Sequence, residues 1–89
     1  MFENKKYIAT FDWAENEDLE IPNSLQEVEL NEMKIEYAVR SLAKLLFKRG
    51  LINATDDYSD HYNHDETECW VSFADDEKGL QLKYIVEEV

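Results

Sequence analysis

Ile35, Ala38, Val39, Leu42, Leu45 and Leu46 recur at steps of three and four residues, which lays one apolar stripe along a single helix. A helix that is apolar on one side needs a surface to cover that side. Asn31 is a favourable N-cap residue, with Leu30 before it and Ile35 at the fourth helical position to form a hydrophobic staple, and Gly50 supplies a left-handed stop. The spacing therefore predicts a helix from Asn31 to about Arg49. Its charges follow the macrodipole, with Glu32 and Glu36 early and Arg40, Lys44, Lys48 and Arg49 late.

The surface that covers this stripe reads as a sheet. Between Lys6 and Trp13, Tyr7, Ala9, Phe11 and Trp13 alternate with Lys6, Thr10 and Asp12, the pattern of a half-buried strand. Cys69–Ala74 and Leu80–Val86 are rich in strand formers, and Asp75-Asp76-Glu77-Lys78-Gly79 joins them as a hairpin. Cys69, Val71 and Phe73, with Leu80, Leu82, Tyr84 and Val86, are expected to face the helix. Leu25–Leu30 fits a short strand or a leading helical turn equally well. The expected fold is α+β: a small three- or four-stranded antiparallel or mixed sheet with one long helix on one face. The expected order is strand, helix, strand, strand, with an optional short strand at 25–30.

With 89 residues, the chain buries about 60 to 65% of its unfolded surface, which supports one core and a single domain over 1–89. The one cysteine, Cys69, has no partner for an internal bridge, and no apolar run is long enough for a bilayer, so a cytoplasmic protein is expected.

Charge is the more unusual property. There are 21 Asp and Glu against 9 Lys and Arg, a net charge of -12, which disfavours direct binding to nucleic acid or to an anionic membrane and favours a basic partner. The sign alternates in blocks. Asp12 to Glu36 holds nine acids against Lys34 alone; Leu51 to Glu77 holds nine acids and no base; Tyr37 to Gly50 holds four bases and no acid. The acids bunch in two expected loops, Ala14–Pro22 and Thr55–Glu68, and in the hairpin turn. Such bunching repels in the folded state and exceeds what solubility requires.

The residues expected to meet a partner are therefore Glu15, Glu17, Asp18 and Glu20 in the first loop and Asp56, Asp57, Asp60, Asp65, Glu66 and Glu68 in the second. Asp75, Asp76 and Glu77 in the turn complete the acidic set. Tyr58, Tyr62 and Trp70 stand among them as aromatic anchors of the kind that dominate interface energetics, although each also suits a packing role. Together they predict a negative ridge with the charge of a nucleic-acid backbone, fit for the basic groove of a nucleic-acid-binding protein or nuclease.

In size, acidity and lack of catalytic residues the chain is similar to two groups of inhibitors. These are phage-encoded DNA mimics that block restriction, CRISPR or repair enzymes, and immunity proteins that neutralise nuclease toxins. The likeness covers the whole chain as composition and involves no shared motif, so no residue role is carried over. A non-enzymatic antagonist of the DNA-mimic kind is the first expectation and an immunity protein the second. A small acidic adaptor, assembling through Met33, Tyr37 and the Arg40, Lys44, Lys48 face of the helix, as in a homodimer, is the third.

Other chemistry is less well supported. Asp60, His61, His64, Asp65 and Cys69 include metal-ligand types, but the histidine spacing suits a helix, the loop lacks the glycine of a calcium hand, and Cys69 begins a strand. No metal site and no cofactor are expected. Ser24, Ser41, Ser59 and Ser72 lie in no nucleophile motif and there is no glycine-rich phosphate loop, so catalysis is not expected either.

Overall fold

Alternation of inward and outward side chains organises five segments of the chain rather than the three or four expected. The computed structural model describes residues 3–15, 21–52, 58–75 and 80–89, without the side chains at 74, 75 and 80. In chain order the elements are β1 (Lys5–Ala14), α1 (Asn23–Gln26), β2 (Glu27–Glu32), α2 (Ile35–Lys48), β3 (Tyr58–Tyr62), β4 (Glu68–Asp75) and β5 (Leu80–Glu88). The strands form one sheet in the order β2-β1-β5-β4-β3, with every neighbouring pair antiparallel.

The α+β class and the helix-on-sheet layering agree with the sequence reading, whereas the strand count, element order and helix length do not. Residues 25–30 contain both options that the pattern left open, a single helical turn through Gln26 and then β2. Because β2 runs on to Glu32, Asn31 lies opposite Lys6 in a strand and does not cap the helix. The helix is 14 residues long, and its N-cap position is Lys34, with extended backbone and no side-chain cap. Glu32 is tied to it differently: Ser41 Oγ donates to Glu32 Oε1 at 2.6 Å.

β3 occupies part of the segment read as an acidic loop. Its turn into β4 is built by Asn63, whose Oδ1 accepts from the main-chain N–H groups of Thr67 at 2.8 Å and Glu68 at 3.1 Å. Glu66, in that turn, has φ 57, the left-handed conformation that disfavours a β-carbon.

The helix stop follows the sequence reading. Gly50 has φ 76, and the N–H of Leu51 donates to Leu46 O at 3.0 Å, the wide hydrogen bond of a Schellman closure. Ile35, Ala38, Val39, Leu42 and Leu46 are all buried against Tyr7, Ala9, Val71, Phe73, Leu82, Tyr84 and Val86 of the sheet. Leu42 is fully buried, so truncation to alanine costs about 2 to 5 kcal/mol. Phe73 and Phe11 both meet the Tyr84 ring edge-on, at centroid distances of 6.4 and 5.8 Å.

Trp13 departs from the expected alternation. The register between β1 and β5 shifts between Phe11 and Trp13, a bulge that places Trp13 opposite Lys83 on the sheet face away from the helix. Trp13 is 45% exposed, with Lys83 Nζ 5.1 Å from its ring centroid. The expected hairpin of the last two strands is present as the β4–β5 pair. The reading of its turn at Asp76–Gly79 lies outside the described residues, as does the expected inward side chain of Leu80.

Candidate functional site

The strand register fixes which predicted partner-binding residues share a face. Cys69 and Val71 point into the core, so Glu68, Trp70 and Ser72 of β4 point the other way, onto the face that no helix covers among the described residues. Directly opposite them on β5 stand Glu87, Ile85 and Lys83. Beyond β5 come Ile8, Thr10 and Trp13 of β1, and then Glu29 and Glu27 of β2. On the other side His61 of β3 lies beside Trp70. Trp70 is 46% exposed.

This open face is apolar at Ile8, Ile85, Trp13 and Trp70 and acidic around them. Glu68 and Glu87 are direct cross-strand partners, and neither makes an ion pair among the described residues. Like charges so placed destabilise a sheet. Glu29 is paired with Lys6 at 3.3 Å, an exposed contact of little energetic weight. A depression on this face is lined by Asp12, His61, Trp70, Val71, Ser72, Lys83 and Tyr84.

Asp60 and Tyr62 project from the other side of the sheet, with Tyr58, because they alternate with Ser59 and His61. The Tyr62 hydroxyl donates to Asp60 Oδ2 at 2.7 Å. Burial, this hydrogen bond and the nearby Asp60 carboxylate all push the Tyr62 phenol well above its ordinary range, so it stays a donor. Tyr58 packs on Phe73 at 5.5 Å between centroids. Both tyrosines are half-buried against the core, which gives them a packing role. A cleft beside the start of α2 is lined by Lys34, Ile35, Glu36, Asp60, Tyr62 and Glu66.

Asp65 and Glu66 are exposed in the β3–β4 turn, between the two faces. Glu15 is exposed just past β1, where its N–H donates to Gln81 O at 2.9 Å. Asp75 ends β4. Glu17, Asp18, Glu20, Asp56, Asp57, Asp76 and Glu77 lie outside the described residues. The structure thus brings Glu68 and Trp70 together and sets Asp60 and Tyr62 on the opposite side of the sheet. The sequence reading passed over Glu27, Glu29, Glu87, Trp13 and Lys83. An alternation count through β2 and β5 flags Glu27, Glu29, Glu87 and Lys83 as outward, but only the pairing register flags Trp13.

Among the described residues no group of three or more His, Cys, Asp or Glu side chains is arranged to hold a metal ion. Asp60 and His61 point to opposite sides of β3, and the Cys69 thiol is buried, which pushes its pKa up to about 11 and keeps it protonated. Arg40, Lys44 and Lys48 on α2 and Arg49 just past its end are exposed. Arg40 meets Glu36 at 3.8 Å and the Tyr37 ring at 5.7 Å, and the other three pair with no carboxylate among the described residues. Among the described residues no helix is long and apolar enough to cross a membrane.

Comparison of the chain with protein-family models, with curated proteins and with solved structures gives no match.

Proposed function

We propose that this protein is a non-enzymatic antagonist that binds a basic nucleic-acid-handling protein and presents carboxylates where that protein expects phosphates. The observation that carries the reading is the Glu68–Glu87 pair. Two carboxylates stand side by side on an uncovered sheet face, and the ion pairs of the described residues leave both unmatched. That arrangement opposes folding, and a cationic partner turns the same repulsion into binding free energy. The blockwise charge of the sequence points the same way. A local surplus of eight carboxylates in the block before the basic stretch and nine in the block after it attracts a basic groove over long range and repels nucleic acid itself.

A competition assay tests the reading. Labelled duplex DNA is bound to each of a panel comprising a restriction endonuclease, a CRISPR effector, a repair enzyme and a toxin nuclease, and the protein is titrated in. Displacement from at least one member is expected, weakening steeply between about 50 and 200 mM salt. Failure to displace DNA from any member, or displacement indifferent to salt, overturns it.

A further inference from the structure

We infer that the open sheet face is the binding surface itself, and that it takes arginine side chains of the basic partner against Trp70, beside Glu68 and Glu87. This deepens the proposed function and rests on it. The face is unusual for an exposed one in carrying both tryptophans of the chain, each close to half exposed, together with Ile8 and Ile85. Trp and Tyr surfaces of this kind anchor interfaces.

Charge selects the occupant. A second copy would bring the same acidic surplus to this face, so like charge disfavours self-association through it. A cationic partner meets the opposite situation. Trp13 already accepts one cation, since Lys83 Nζ lies 5.1 Å from its ring centroid. Trp70 has no such cation in contact among the described residues.

Geometry favours arginine over lysine. Trp70 is the next outward residue after Glu68 on β4, about 7 Å along the strand, and Glu87 faces Glu68 across the pair. A flat guanidinium held by these two carboxylates has its face within reach of the indole, combining forked hydrogen bonding with stacking. An ammonium is a point charge and gains only one of these at a time.

The two tryptophans make intrinsic fluorescence a direct reporter of the site. The full-length protein is titrated with nona-arginine and with nona-lysine at matched salt, and the emission shift and dissociation constant are read for wild type, Trp70→Ala, Glu87→Lys and Glu36→Lys. The last variant makes the same charge change on the helix side. Nona-arginine is expected to shift the emission and to bind about tenfold tighter than nona-lysine. Trp70→Ala and Glu87→Lys are each expected to weaken it about tenfold, and Glu36→Lys less than twofold. Circular dichroism confirms that each variant is folded, and the Glu87→Lys and Glu36→Lys pair decides the matter if Trp70→Ala unfolds. Equal loss from Glu87→Lys and Glu36→Lys, or equal affinity for the two peptides, overturns the inference. If DNA displacement survives Glu87→Lys, the face is wrong and the antagonist reading stands. If nona-arginine binds as described but no member of the panel is displaced, the antagonist reading falls and the face stands.

Discussion

The hydroxyl of Tyr84, on the central strand, donates to the main-chain carbonyl of Leu25, in the single helical turn before β2. Leu25 is itself buried, so this one hydrogen bond and one side chain hold the turn on the core. Tyr84→Phe leaves the Leu25 carbonyl without its partner and is expected to cost about 1 to 2 kcal/mol in urea denaturation. Hydrogen exchange of the Leu25 amide, which donates to Pro22 O at 2.9 Å, is expected to accelerate. An unchanged midpoint would show that the turn is held by packing alone.

Cys69 and Tyr84, both buried and neutral in the fold, help to set the alkaline limit, and burial raises the Tyr7 phenol in the same direction. Burial raises the Cys69 thiol from 9.0 to about 11 and the Tyr84 phenol from 10.0 to about 12. The unfolded chain loses these protons first, so the stability they contribute is full below pH 9 and declines as pH rises through 11 and 12. Urea midpoints measured from pH 8 upward are expected to fall beyond pH 9, and Cys69→Ala is expected to flatten the first part of that fall. A midpoint that rises above pH 9 contradicts the burial of both groups.

Glu66 sits at φ 57, where a side chain is unfavourable, in a turn whose hydrogen bonds come from Asn63. Glu66→Gly is expected to raise stability by about 0.5 to 1 kcal/mol, a gain of about 3 to 6 °C in thermal unfolding. A loss on substitution would reveal a compensating contact of the carboxylate.

Glu87→Lys is expected to act on stability and on binding with opposite signs. Facing Glu68, the new lysine replaces a repulsion with an attraction and stabilises the fold by about 0.5 kcal/mol. The same change is expected to weaken displacement of DNA from the basic target. A variant that is both more stable and fully active would separate this carboxylate from function.

What the sequence made legible, and what it hid, follows from where each signal originates. The α2 stripe is a local property of the chain, so Ile35, Ala38, Val39, Leu42 and Leu46 are buried as the spacing requires. Asn31 carried a strong capping signal, but pairing of β2 with β1 extended the strand through it, and a long-range ladder outweighed a single side-chain cap. β3 escaped notice because Asp60 interrupts the apolar alternation of Tyr58 and Tyr62. An inward-leaning charge of this sort suits an edge strand, which must discourage further pairing. Trp13 was placed on the core side because alternation has no way to register a bulge created by the partner strand. Alternation marks Glu68, Trp70 and Glu87 as outward one strand at a time, but that they and Trp13 share one face follows only from the register of three strands.

The strand order carries one last implication, for biosynthesis. β5, which follows the other four strands in chain order, lies between β1 and β4 at the middle of the sheet, so the earlier strands acquire their shared neighbour only after it has been synthesised. Until then β1 with β2, and β3 with β4, are at most two separate hairpins with no common seam, and topologies dominated by such distant pairings mature slowly. During that interval the anionic character of the chain keeps nascent molecules apart while their unpaired strand edges are still open.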